Sequence, residues 1–242
     1  MSDTVFNKQV SVTFLGHAGF KLVSPEGTNF LIDPWIKDNP QAPPGSENPG
    51  PIDYILISHG HGDHFADTPE IADQTGAVVV SIHEISQYLA LKGFPEEKNV
   101  GMNKGGRVML GETMVVMVHA IHSSSITEAD RIIYTGEAAG FVIRFNNGFT
   151  VYYAGDTGLF GDMKLIGDIY RPDLAILPIG DHYVMGPEEA AFACGLIKPK
   201  YVIPMHFGTF PVLSGTPEKF KDVMKKMPEV KIVVMKAGDT IR

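Results

Sequence analysis

Three histidines and one aspartate fall within six consecutive positions of the segment Ser58-His59-Gly60-His61-Gly62-Asp63-His64, directly after the apolar run Tyr54-Ile55-Leu56-Ile57. A short, partly β-branched apolar run that ends in polar residues reads as a buried strand delivering a loop. Imidazole and carboxylate are the ligands that zinc and other first-row ions prefer. Gly60 and Gly62 are expected to let the loop coil tightly, so that side chains which would alternate on a strand can converge. Two histidines can then hold one ion while Asp63 and His64 point at a second. A loop that is merely solvated gives no reason for four ligand-type side chains at this spacing.

One loop cannot complete two metal shells, so further ligands are expected elsewhere. Three residues share the same setting, a polar side chain just beyond an apolar strand. His122 follows Met114 to Val118, Asp156 follows Val151-Tyr152-Tyr153-Ala154-Gly155, and His206 follows Tyr201-Val202-Ile203-Pro204-Met205. Strand ends on one edge of a sheet are where α/β active sites collect. His119, three positions before His122, competes for the same role.

The rest of the chain reads as strands first, then strands alternating with helices, then a second similar set. Expected strands include 10–14, 21–24, 30–32, 54–58, 77–81, 113–118, 139–145, 149–154, 174–177, 201–204 and 230–234. Expected helices are 68–74, 82–92, 187–196 and 217–226. Asn146-Asn147-Gly148 is a hairpin turn signal, and Asn39 to Pro51, rich in Pro and Gly, is a loop suited to rim a pocket. This order suggests mixed sheets between helices. A chain of 242 residues suits a single domain over 1–242. No apolar run approaches the ~20 residues that span a bilayer, and Met1 to Phe6 lacks a basic start with an apolar core, so neither membrane nor secretory signal is expected and a cytoplasmic location follows by default. The net charge of −8 and the lack of a Lys/Arg cluster argue against nucleic acid as a partner. A small-molecule substrate is expected instead, and a homo-oligomer is left open by Met102, Met109, Met114 and Met117, which suit a core or an interface. Cys194 is the sole cysteine and reads as a small buried core residue.

The set His59-x-His61-x-Asp63-His64, followed by His122, Asp156 and His206, resembles the metallo-β-lactamase fold superfamily over nearly the whole chain, from about Val10 to Ile241. Within it, Leu15-Gly16-His17-Ala18-Gly19-Phe20, Ile32-Asp33-Pro34-Trp35, Gly155-Asp156-Thr157-Gly158-Leu159-Phe160, Met185-Gly186-Pro187-Glu188-Glu189-Ala190 and Pro204-Met205-His206-Phe207-Gly208-Thr209 resemble a narrower group, the UPF0173-like metal-dependent hydrolases related to L-ascorbate-6-phosphate lactonase. The resemblance implies a four-layer αββα sandwich of α/β (α+β) class, two mixed sheets flanked by helices, with metals at one edge. It also implies that His59, His61 and His122 hold a first ion, that Asp63, His64 and His206 hold a second, and that Asp156 bridges.

Two close divalent cations, zinc first with manganese, iron, cobalt or nickel as alternatives, lower the pKa of a shared water and polarise a carbonyl or phosphoryl oxygen. A metal-bridged hydroxide then cleaves a small ester, lactone or phosphate ester. Asp63 is the candidate to orient that water or take its proton, and His182, in Ile179-Gly180-Asp181-His182-Tyr183, is the candidate general acid or substrate contact. His17 is weighed between lining the pocket and a purely structural role. Asp33 reads as a residue that orients a ligand or shapes a turn, Trp35 as a pocket wall or simple packing, and His83 as a surface residue. Competing readings are a phosphodiesterase or nuclease of the same fold and a non-catalytic metal-binding protein. A flavin-linked di-iron oxidoreductase would need a flavin domain for which no chain remains. A β-lactamase proper is disfavoured by the absence of an export signal.

Overall fold

The computed structural model describes Phe6 and residues 9–242. Apart from Phe6, the segment read for an export signal lies outside the described residues. Strands β1 (Ser11–Gly16), β2 (Gly19–Val23), β3 (Asn29–Ile32) and β4 (Tyr54–Leu56) are followed by a one-turn helix α1 (Gly62–Phe65), then α2 (Thr68–Thr75), β5 (Val78–Ile82), α3 (His83–Leu91) and β6 (Asn99–Met102). The second half runs β7 (Arg107–Leu110), β8 (Thr113–His119), β9 (Ser125–Glu128), β10 (Arg131–Tyr134), β11 (Ala139–Arg144), β12 (Thr150–Tyr153), α4 (Met163–Tyr170), β13 (Leu174–Pro178), α5 (Pro187–Ile197), β14 (Tyr201–Met205), α6 (Pro217–Met224), β15 (Lys231–Ile232) and β16 (Thr240–Ile241).

Two seven-stranded sheets result, ordered β16-β1-β2-β3-β4-β5-β6 and β15-β14-β13-β12-β11-β8-β7, with β9 and β10 as a separate hairpin. In the first, β1 to β3 pair antiparallel and β3 to β6 parallel. In the second, β7, β8, β11 and β12 pair antiparallel and β12 to β15 parallel.

Alternation along the strands explains the layers. In β11 and β12, Phe141, Ile143, Val151 and Tyr153 join a core built jointly with Phe20, Phe30 and Ile55 of the first sheet, whereas Val142 and Tyr152 join a second core. Successive side chains on a strand face opposite sides, so the second sheet is apolar on both faces. Its inner face meets the first sheet. Its outer face is covered by Met163 and Ile166 of α4, Ala190 and Cys194 of α5, and Phe220 of α6. Ile71 of α2 with Ile85 and Leu89 of α3 cluster with residues of the first sheet, and α3 packs on β5 and β6. Fully burying an aromatic or aliphatic side chain is worth about 1.5–3 kcal/mol, and Phe20, Phe30, Phe141 and Tyr153 between the sheets and Tyr152 and Phe220 on the outer face are all at 0 % exposure, so both layers contribute on that scale.

The expected hairpin at Asn146-Asn147-Gly148 is present, with Gly148 in the left-handed region at φ 82° and the Phe145 N–H donating to the Phe149 carbonyl at 3.0 Å. The strand expected over 230–234 pairs only at Lys231 and Ile232. Among the methionines, Met102 and Met117 are buried while Met109 is 62 % exposed. No helix among the described residues is long and apolar enough to cross a membrane.

Strand direction positions the site. β1 and β3 run parallel to β4, and β8 runs parallel to β12, β13 and β14, because an even number of antiparallel steps separates β1 from β3 and β8 from β12. Their carboxyl ends therefore deliver His17, Asp33, the 58–64 loop, His122, Asp156 and His206 to one edge. The two sheets are joined there: the His206 N–H donates to the His17 carbonyl at 2.7 Å, and the Ala139 N–H donates to the Ser58 carbonyl at 3.0 Å.

Candidate metal centre

All seven side chains expected as ligands meet at this edge. The Oδ2 oxygen of Asp156 lies 3.1 Å from His206 Nε2, 3.3 Å from His64 Nε2, 3.7 Å from His122 Nε2 and 3.9 Å from His59 Nε2. Ligand atoms of His59, His61 and His122 lie within 4.8 Å of one another, as do those of His17, Asp63, His64 and His206. The glycines act differently from expectation. Gly62 starts α1, which carries Asp63 and His64 as adjacent helical residues, and space beside it is open. Gly60 is needed for close approach, since a Cβ there would sit 2.5 Å from Thr135 Oγ1.

Asp33 organises one side of the cluster. Its carboxylate is fully buried and accepts from the Ser58 N–H at 2.8 Å, from the Tyr153 O–H at 2.7 Å and from the Ser58 O–H, and its Oδ2 lies 2.8 Å from His64 Nδ1. With the Ser58 hydrogen given to Asp33, Ser58 Oγ accepts from His59 Nδ1 at 2.9 Å. Both imidazoles thus hold a hydrogen on Nδ1 and turn Nε2 toward Asp156, the arrangement in which a carboxylate or hydroxyl orients a ligating histidine so that Nε2 is the atom offered to a metal.

His17 braces the other side. Its Nε2 lies 3.1 Å from Asp63 Oδ2 and its Nδ1 2.9 Å from Thr209 Oγ1. Burial pushes the His17 imidazole down to about 4, although the hydrogen bond to Asp63 opposes this. His17 is therefore neutral, donating to Asp63 and accepting from Thr209. Burial works against ionisation of Asp63, but the His17 hydrogen bond and the His64 charge outweigh it and hold the carboxyl below the usual carboxylate range. Gln41, from the proline-rich loop, accepts from the His17 N–H at 3.2 Å and donates to the Phe207 carbonyl at 3.0 Å, so this loop supports the site from behind.

The electrostatics are those of a site built for cations. Burial lowers the pKa of His59 strongly and those of His61 and His122 more moderately. His64 is buried as well, yet the charges of Asp156 and Asp33 raise it well above the imidazole range. Asp156 is held far below the carboxylate range by His206 and His64 against the cost of burial. His64 Nε2, His206 Nδ1 and Asp156 Oδ1 are buried without a hydrogen-bond partner among the described residues. Burying such atoms unpaired is costly, and four imidazoles crowded on one carboxylate oxygen form a donor set that first-row cations fit.

Comparison with known proteins agrees with this geometry. The Beta-lactamase superfamily domain matches residues 28–207. A UPF0173 metal-dependent hydrolase of Rubrobacter xylanophilus is 51 % identical over 232 residues, covering 95 % of each chain, and one of Methanosarcina mazei is 44 % identical over 233 residues, covering 96 % of this chain and 98 % of that one. The chain belongs to the UPF0173 metal-dependent hydrolase family of the β-lactamase superfamily. Igni18, described as a novel metallo hydrolase from the hyperthermophilic archaeon Ignicoccus hospitalis, superposes with a TM-score of 0.85 at 38 % identity, covering 96 % of this chain and 97 % of that one. The αββα metallo-β-lactamase architecture is thus shared across the whole molecule.

In this UPF0173 hydrolase the metal cluster opens into a cleft of about 740 Å³. Its wall is formed by Trp35, stacked on Phe210 with ring centroids 5.7 Å apart, together with Tyr183, Pro211 and Val212. His182 is exposed and absent from the lining, where Tyr183 takes the position expected of it. Asp181 accepts from the Ser214 hydroxyl at 2.7 Å and so ties the loop after β13 to the loop carrying Phe210. Gly180 permits this closeness, since a Cβ there would meet the His206 carbonyl at 2.0 Å. The wall residues after His206 escaped sequence reasoning. The only signal for them was an aromatic residue four positions beyond a candidate ligand. His119 is exposed beside Lys104, at 3.0 Å, and does not compete with His122. His83 is exposed at the start of α3. Cys194 is buried and its thiol is pushed up to about 12 by burial, which suits packing rather than nucleophilic attack.

Proposed function

We propose that this metal-dependent hydrolase works with two divalent ions, zinc first among the first-row metals, and cleaves a small ester, lactone or phosphate-ester substrate. His59, His61 and His122 would hold one ion, Asp63, His64 and His206 the other, and Asp156 would bridge. The observation that carries this reading is the position of Asp156 Oδ2, within 3.9 Å of imidazole nitrogens from both groups. When bound, such a pair of ions lowers the pKa of water and polarises the substrate oxygen.

The chain's own groups supply orientation and proton transfer. Asp63 is ionised and anchored through Oδ2 by His17, which leaves its second oxygen for a metal or for a proton from attacking water. Asp33 and Ser58 orient His64 and His59. Trp35 and Phe210 exclude water along one wall and give the substrate a surface to rest on. His182, exposed and off the lining, is the weaker choice for a general acid. No Ser or Cys nucleophile is required.

The test is metal content of protein purified without added metal, wild type against His59→Ala and Asp156→Ala, with turnover of bis-p-nitrophenyl phosphate, an aryl ester and a sugar lactone. About two metals per chain, lost together with activity in the variants, is the expected result. A wild type that stays metal-free and inert after reloading would leave a fold reused for binding.

A further inference from the structure

The cleft beside the metal cluster carries information about charge that the ligand set does not. Among the described residues that line it, none is Lys or Arg, while Asp38 adds a carboxylate to those of Asp63 and Asp156. Lys37, next to Asp38, turns away and pairs with Glu70. Lys219, behind the 210–216 loop, donates to the Ser214 carbonyl at 2.9 Å. The far wall is apolar: Trp35 is buried and stacked on Phe210, and Val212 and Tyr183 are 47 % and 55 % exposed toward the opening. Away from the ions that the ligand set would hold, an anionic group on a substrate would lose water without gaining a cationic side chain, and Asp38 would repel it. An aromatic or branched apolar group would bury area on the Trp35–Phe210 pair in an offset or edge-on contact.

We infer that the substrate is an uncharged ester or lactone whose apolar, ring-sized group seats on the Trp35–Phe210 wall, with Val212 setting the tolerance for charge at its far end. This rests on the hydrolase reading above and narrows it: terminal phosphates and carboxylates are selected against at a distance from the bond that is cut. The wall acts on binding, so it has a readout apart from turnover. Trp35 is the only tryptophan in the chain, and its fluorescence reports occupancy of this cleft directly.

The experiment compares methyl acetate, methyl phenylacetate and 4-carboxylated methyl phenylacetate as substrates of the metal-loaded protein, with the same leaving group throughout. In parallel, Trp35 fluorescence is titrated with phenylacetamide and with acetamide. Methyl phenylacetate should exceed both other esters by about 10-fold or more in kcat/KM. Phenylacetamide, not acetamide, should change Trp35 emission saturably. Phe210→Ala should remove most of the preference for the ring, and Val212→Lys, on an exposed position, should raise kcat/KM for the carboxylated ester relative to the neutral one. The inference is overturned if the wild type handles the carboxylated ester as well as the neutral one, or if Phe210→Ala leaves the ring preference intact. If phenylacetamide still binds at Trp35 while none of the esters is turned over, the assignment of the wall stands and the ester reading of the substrate fails.

Discussion

The two halves of the metal cluster are built differently. His59, His61 and His122 support one another: His59 Nε2 lies 3.0 Å from His61 Nδ1, the His61 and His122 ring centroids are 5.1 Å apart, and the exposed Ser123 hydroxyl lies 3.5 Å from His61 Nε2. Asp63, His64 and His206 are instead held by an outer layer of Asp33, His17, Thr209 and Gln41, all tied to the ends of β1, β3 and β14. In the first half, Ser58 Oγ holds His59 and itself donates to Asp33, whereas His61 and His122 are partly open to solvent. The second is organised by residues outside the proposed ligand set. This difference teaches that the Asp63, His64 and His206 group, where the proposed second ion would sit, is the more strongly pre-shaped one, and that a change at His17 should act mainly on it while a change at Asp33 reaches both groups, through His64 and through Ser58 and His59.

The largest break is expected at Asp33. Asp33→Ala leaves the Ser58 and His64 donors buried and unpaired, while the Tyr153 O–H keeps the Ala18 carbonyl at 2.9 Å; this should cost about 3–5 kcal/mol in stability, read as the midpoint of denaturant unfolding of metal-free protein. Next comes His17→Ala, which removes the donor that fixes Asp63. Loss of such an outer partner costs about 10–100-fold in metal affinity, and competitive chelation should show this for one ion of the pair while the other binds as in wild type. Proton linkage sharpens the same contrast. In the free protein His64 keeps its proton above the ordinary imidazole range, because the attraction of Asp156 and Asp33 overcomes burial, so an ion entering there must displace that proton. Apparent affinity at the second group should therefore rise with pH, by about tenfold per pH unit while His64 is still protonated. His59, whose pKa burial pushes down, is already neutral and should give a nearly flat dependence near pH 7. Calorimetric titrations in buffers of different ionisation enthalpy measure the protons released at each step. The smallest effect belongs to Ser123→Ala: an exposed hydroxyl 3.5 Å from His61 should change stability by no more than about 0.5 kcal/mol.

The same contrast marks what could be read from the sequence. The first half and the α1 ligands were legible because His59, His61, Asp63 and His64 are dense in one segment, and His122, Asp156 and His206 because each follows an apolar strand. The outer layer was legible only as alternatives, since the partners of His17 and Asp33 lie 192 and 120 positions away, at Thr209 and Tyr153. Nor does sequence reveal that His17, Asp33 and His206 all adopt positive φ, a conformation that tertiary structure imposes on non-glycine residues at such sites. Among the elements, α4 was hidden because Leu165 and Ile169 are exposed opposite the buried Met163 and Ile166, which blurs the helical period. The β9–β10 hairpin was hidden because Ile132 and Tyr134 face solvent, and α1 because a single turn has no period to read.

The central claim is that Asp156 serves both halves at once, and the most direct test is metal stoichiometry after equilibration with zinc and removal of free metal. Wild type should retain about two ions per chain, His61→Ala about one, held by the pre-shaped half, and Asp156→Ala none. An Asp156→Ala protein that keeps two ions, or a His61→Ala protein that loses both while wild type keeps two, would contradict the account.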